Sequence, residues 1–150
     1  MKSERLYWMR LKGMVEFMVH DVLYNKIAII ERCLMRIQEV YDGNPENLKD
    51  YTKQDSMILN IQRAVETTID IAMYIVSFKK LGIPQNSRDA FEVLNEYGIL
   101  DHDITKRLKA MVGFRNIAIH NYQKLNLEIV QEVIENHLED FEIFIDQIRS

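Results

Sequence analysis

Cysteine occurs once in these 150 residues, at Cys33. No internal disulfide framework is therefore available, and a lone thiol fits a reducing compartment, so the chain is expected to be cytoplasmic. Proline occurs twice and glycine five times, too few for a fold built on many tight turns. No stretch approaches the ~18 uninterrupted apolar residues that a membrane span needs. The apolar run from Met14 to Val19 is too short for a signal peptide, and Glu16 interrupts it. A glycine-rich phosphate loop is lacking, which leaves an NTPase without support. His20, His102, His120 and His137 stand apart from one another and from Cys33, without the spacing of a metal site, so no metal or other cofactor is expected. The net charge of −4 argues against a protein that coats nucleic acid indiscriminately, yet leaves room for a local basic site.

What the sequence does contain is helix. Hydrophobic residues make up 47% and charged residues 28%, ordinary proportions for one globular domain of this length. From Asp21 to about Tyr41, the residues Leu23, Ile27, Ile30, Leu34 and Ile37 step by four and three, which predicts an amphipathic helix with Asp21 as its cap. Asp42-Gly43-Asn44-Pro45 ends it. A second helix is expected from about Gln54 to Leu81, with Ile58, Ile61, Val65, Ile69, Ala72 and Val76 inward and Gly82 as its stop. Ser87 to Tyr97 reads as a short helix capped by Ser87, and another follows from about Asp101. A last long helix, about Leu127 to Ile148, would bury Val130, Ile134, Leu138, Phe141, Ile145 and Ile148. Four long helices and one short, without strand-like alternation, predict an all-α up-and-down bundle. Residues 1–18 mix charges with Leu6, Tyr7, Trp8 and Met9; they form an N-terminal extension, helical or artefactual, ahead of a helical domain at 19–150.

The functional signal lies in Arg115-Asn116-Ile117-Ala118-Ile119-His120-Asn121-Tyr122. On a helix at ~100° per residue, Ile104, Leu108, Met111, Val112, Ala118 and Ile119 form one apolar stripe with Arg115 in its middle. A guanidinium cannot escape burial by losing its proton, so it must find an anion, reach water or line a site. Glu66 and Asp70, on one strip of the second long helix with Arg63, are candidate anions. Asn116 and His120 form a polar strip beside the stripe, with Gly113 leaving room. Tyr122 returns to the Arg115 face if the helix lasts that long.

Histidine exchanges protons near neutrality, and arginine clamps phosphate oxygens and stabilises charge developing on them. The combination suits metal-free RNA cleavage, in which the 2′-hydroxyl attacks the adjacent phosphorus. Residues five apart lie ~140° apart on a straight helix, so Arg115 and His120 converge only if the helix end distorts, Arg115 reaches around, or two chains share the site. A symmetric dimer would also supply a second histidine; Phe114 and Ile117, opposite the main stripe, are the faces available for it. Lys106, Arg107 and Lys109 are candidate guides for RNA, although such runs are commonly solvated helix faces.

FRNIAIHNY, preceded by QRAVETTIDIA and LGIPQNSRDAFEVLNEYGIL, resembles the HepT-like toxins of the HEPN superfamily over about Asp21 to Ile148. The resemblance implies an all-α, dimeric bundle with metal-independent endoribonuclease activity. It assigns Arg115 and His120 as the catalytic pair and Asn116 as a supporting polar group; Asp70 matches an acidic position of the pattern. It further implies an MNT-type nucleotidyltransferase antitoxin as partner, which adds AMP to Tyr122, and a possible hetero-oligomer of the two, with neither DNA nor membrane among the partners. The competing expectation is a non-catalytic helical module that docks a nucleotidyltransferase or another protein.

Overall fold

The computed structural model describes residues 2–150; Met1, the first residue of the 1–18 extension, lies outside the described residues. Six α-helices follow in order: α1 (Lys2–Tyr41), α2 (Tyr51–Phe78), α3 (Ser87–Glu96), α4 (His102–His120), α5 (Leu127–Asn136) and α6 (Leu138–Arg149). Two short 3₁₀ turns, Pro45–Lys49 and Tyr122–Lys124, connect α1 to α2 and α4 to α5. No strand occurs among the described residues, and no helix is long and apolar enough to cross a membrane. The all-α expectation holds.

Helix ends follow from local chemistry. The side chains of Asn44, Asp50, Asn86, Asp101 and Asn126 each accept a hydrogen bond from a backbone amide of the turn they open, each worth ~1 kcal/mol of local stability. Asn86 therefore caps α3 where Ser87 was expected. Asp21 caps nothing, because α1 runs through it without interruption back to Lys2. At the end of α2 the left-handed position falls on Lys80 (φ 56°), and the Leu81 amide donates to the Val76 carbonyl at 2.9 Å. The helix thus stops at Phe78, ahead of Gly82. α3 closes in the same way with Gly98 (φ 74°), a conformation that glycine adopts without steric cost.

The anticipated inner faces of α1 and α2 are buried: Ile27, Ile30, Leu34 and Ile37 pack against Ile58, Ile61, Val65 and Ile69. α3 and α4 pack against α2, α4 also touches α6, and α5 reaches the 3₁₀ turn after α1. The expected single helix over 127–148 is instead two, broken at His137. Beyond the bundle the first turns of α1 are exposed, with Leu6, Tyr7, Trp8, Met9, Met14 and Met18 all more than half accessible.

Candidate active site on the motif helix

α2 and α4 run antiparallel, and the site forms along their seam. Arg115 is 16% exposed in its side chain; its Nη1 donates to Glu66 Oε1 at 2.6 Å, and Nη2 lies 3.5 Å from Ser87 Oγ at the start of α3. Its Nε is buried with no acceptor among the described residues. Glu66 is thus the anion that Arg115 needs. Asp70 is not: 60% exposed, it faces Lys26 of α1 at 3.9 Å. Glu66 and Asp70 share a strip, but they differ by about 6 Å in height along the helix axis, and Glu66 stands level with Arg115.

The last turn of α4 behaves differently from its earlier turns. Ile104, Leu108, Met111, Val112 and Ala118 are buried as the stripe requires, whereas Ile119 is 42% exposed. Phe114 joins the core at 7% exposed, so it is not a free face, while Ile117 is 43% exposed. His120 is exposed and Asn116 half-buried. Ile117 and Ile119 therefore flank the Asn116–His120 strip on the open side of the helix. Arg115 lies on the core side and bonds to Glu66 and Ser87. Among the described residues no hydrogen bond links it to His120 of the same chain.

α4 stops at His120, where Asn121 turns away (φ −154°, ψ 54°) and its amide donates to the Ile117 carbonyl at 2.9 Å. Tyr122 consequently sits in the following 3₁₀ turn rather than on a continuing helix. Its hydroxyl donates to Asp55 Oδ1 at the start of α2, 2.5 Å away. Partial burial, then the Asp55 carboxylate that accepts this bond, push the Tyr122 hydroxyl up to about 12. Two residues that sequence reasoning missed are Asp55 and Arg88. The Arg88 Nε donates to the Lys109 carbonyl at 3.3 Å, and its Nη2 would lie 3.2 Å from a Cβ at Gly113. The room beside Gly113 thus accommodates this guanidinium.

The basic run on α4 is largely neutralised: Arg107 binds Asp140 at 2.9 Å and Asp103 at 3.3 Å, and Lys109 pairs with Glu92. Among the described residues no group of three or more His, Cys, Asp or Glu side chains could hold a metal ion.

The mRNA nuclease HepT of Shewanella oneidensis is 51% identical over 132 residues, spanning 88% of this chain and 99% of its own. The tRNA nuclease HepT of Aphanizomenon flos-aquae is 29% identical over 90 residues, 60% of this chain and 61% of its own. The solved structure of the tri-AMPylated Shewanella oneidensis HEPN toxin in complex with MNT antitoxin superposes with a TM-score of 0.82 at 53% identity, covering 86% of this chain and 97% of that one. The family described as ribonuclease HepT-like matches residues 30–148, a span that holds the α2–α4 seam, Arg115, His120 and Tyr122 together. By fold, by motif and by extent of match, this chain belongs to the ribonuclease HepT-like family.

Proposed function

We propose that this protein is the toxin of a cytoplasmic toxin–antitoxin pair. It is a metal-independent endoribonuclease that uses Arg115 and His120, and an MNT-type nucleotidyltransferase silences it by adding AMP to Tyr122. The names of the similar nucleases and the AMPylated toxin complex support this reading. The observation that carries it is the state of Arg115. A guanidinium held by Glu66 retains one buried donor without an acceptor, an arrangement that costs stability and suits a site built for an oxyanion.

In this reading a neutral His120 takes the proton of the 2′-hydroxyl as that oxygen attacks the adjacent phosphorus. The 5′-oxygen leaves and takes a proton from an acid, and Arg115 stabilises the crowded phosphorane oxygens. A second copy, seated on the exposed Ile117 and Ile119 that flank His120, supplies the second histidine as that acid and brings its own Arg115 towards the cleft. Asn116 holds a phosphate oxygen or the imidazole. The relatives' names include both mRNA and tRNA nucleases, so the substrate class is RNA without a narrower assignment.

The test is cleavage of a mixed RNA in the presence of a chelator. Loss of a general base typically costs 10²–10⁴-fold, so His120→Ala should lose about 10²-fold or more. Arg115→Ala should lose about 10²–10³-fold, the scale for one oxyanion donor, while keeping its fold, because Glu66 is 40% exposed and can hydrate. Full cleavage by both variants would overturn the assignment. Complex formation with the nucleotidyltransferase, but no cleavage by the wild type, would make the chain a docking module.

A further inference from the structure

Between α1 and α2, a second basic site is unaccounted for by the Arg115–His120 chemistry. Arg32 and Arg36 stand one turn apart on α1, and Arg63 stands on α2; all three are exposed and line one open groove of about 400 Å³. Glu39 is the acidic residue on its wall, and it pairs with Arg36 at 3.5 Å. Among the described residues neither Arg32 nor Arg63 has an ion-pair partner, in contrast to Arg107, Lys109 and Arg115. Two guanidiniums without ion pairs thus line one groove from different helices. Both act on the buried Cys33 thiol between them, which burial pushes up and Arg63 and Arg32 pull part of the way back.

The groove and the site share α2, through Arg63 and Glu66 respectively. Arg63 lies three residues before Glu66, ~4.5 Å along the axis and ~60° around it, so it stands between the α1 arginines and the Arg115–Glu66 pair. Single exposed arginines are commonly just solvated, but three on two helices at the edge of a phosphodiester-cleaving site form a path. We propose that Arg32, Arg36 and Arg63 are a phosphate-binding track that holds single-stranded RNA beyond the scissile bond. The inference rests on the ribonuclease reading. Its chemistry is electrostatic: guanidiniums fork onto phosphate oxygens whatever the base, so the track supplies affinity and register rather than sequence choice.

The test measures RNA affinity against salt, using His120→Ala protein so that the strand stays intact. Each phosphate contact to a single strand contributes ~0.7 to the slope of log affinity on log salt. Adding Arg32→Ala and Arg63→Ala together should lower that slope by about 1.4. Lys79→Ala, exposed at the far end of α2 in a separate groove, should leave it unchanged, and Arg63→Lys should restore most of the Arg63 share. A slope unchanged by the double substitution overturns the track. So does an unchanged slope with weakened binding of the nucleotidyltransferase, which would give the groove to a protein partner. Cleavage by protein with His120 intact is scored separately. If it fails while the slope responds, the ribonuclease reading falls and the RNA track stands.

Discussion

Tyr122 and Asp55 make the most specific residue pair in the molecule after Arg115 and Glu66. A phenol attacks the α-phosphorus of ATP only as it loses its proton. The new Oη–P bond then forms while pyrophosphate leaves. Asp55 already accepts the Tyr122 proton in a 2.5 Å bond, and that proton can pass through the carboxylate to solvent. The hydroxyl, pushed up to about 12 by burial and by this same carboxylate, stays protonated at neutral pH until the proton passes to an acceptor. For the AMP addition proposed at Tyr122, Asp55→Asn is therefore expected to slow the reaction by about 10²-fold, within the range for general-base loss, and to spare RNA cleavage. Intact mass over a time course reads the first, and a chelator-treated RNA assay the second; equal AMP addition by both proteins would reduce Asp55 to a structural neighbour. This pairing was not legible in the sequence, because its members lie 67 positions apart and no periodicity links them. The anion for Arg115 was legible only as a choice. Glu66 and Asp70 occupy one helical strip, and the height of α4 against α2, which decides between them, is a tertiary fact.

At the scale of elements, apolar periodicity placed the helices well and failed where a polar group interrupts a continuing stripe. Ile134, Leu138, Phe141 and Ile145 step four, three and four across His137 and are all buried, so the sequence reads as one helix. The break coincides with a network beneath it: Asp140, 1% exposed, accepts from Arg107 at 2.9 Å and lies 3.0 Å from His137 Nδ1. A buried carboxylate that keeps only one of two partners is costly. Arg107→Ala should destabilise the fold, though by less than the ~3–5 kcal/mol of a fully buried pair, because Arg107 itself is 37% exposed. Asp140→Asn in that background should recover part of the loss. Urea unfolding of the four proteins in this cycle gives the coupling, and a coupling near zero would mean that Asp140 is satisfied without Arg107. The exposed end of α4 was misread for a related reason. Ile119 falls within the ideal stripe, yet the core it should face does not extend to the last turn. With Ile117 it is instead the surface proposed for a second copy. Ile119→Lys should yield a monomer by light scattering with unchanged helicity and at least ~10-fold less cleavage, if the paired histidine supplies the acid; an active monomer would return the whole site to one chain.

For the molecule as a whole, the bundle closes where its first helix meets its fifth. Tyr41, the last residue of α1 and 5% exposed, donates its hydroxyl to Glu135 of α5, 94 positions away. The same Tyr41 carbonyl accepts from Asn47 Nδ2 at 2.8 Å, which fixes the turn into α2. Burial, then the Glu135 bond and its charge, raise the Tyr41 hydroxyl from 10.0 to about 12. The folded state therefore favours the protonated phenol more than the unfolded chain does. The resulting stability is fully present below pH 10, the unfolded value, and is lost as pH rises through about 12, the folded one. Two pH units at 1.36 kcal/mol each set its scale at about 2–3 kcal/mol. Wild type should accordingly lose denaturant stability between pH 10 and 12 by about that amount more than Tyr41→Phe does. The substitution keeps the ring in the core, so the comparison isolates the hydroxyl. At neutral pH Tyr41→Phe should cost only ~1 kcal/mol or less, the net worth of one hydrogen bond whose acceptor can turn to water. If the two proteins fell together on raising the pH, the α1–α5 closure would rest on packing alone. The alkaline transition would then belong to other groups, Tyr122 first among them, and Tyr122→Phe would flatten the curve that Tyr41→Phe leaves unchanged.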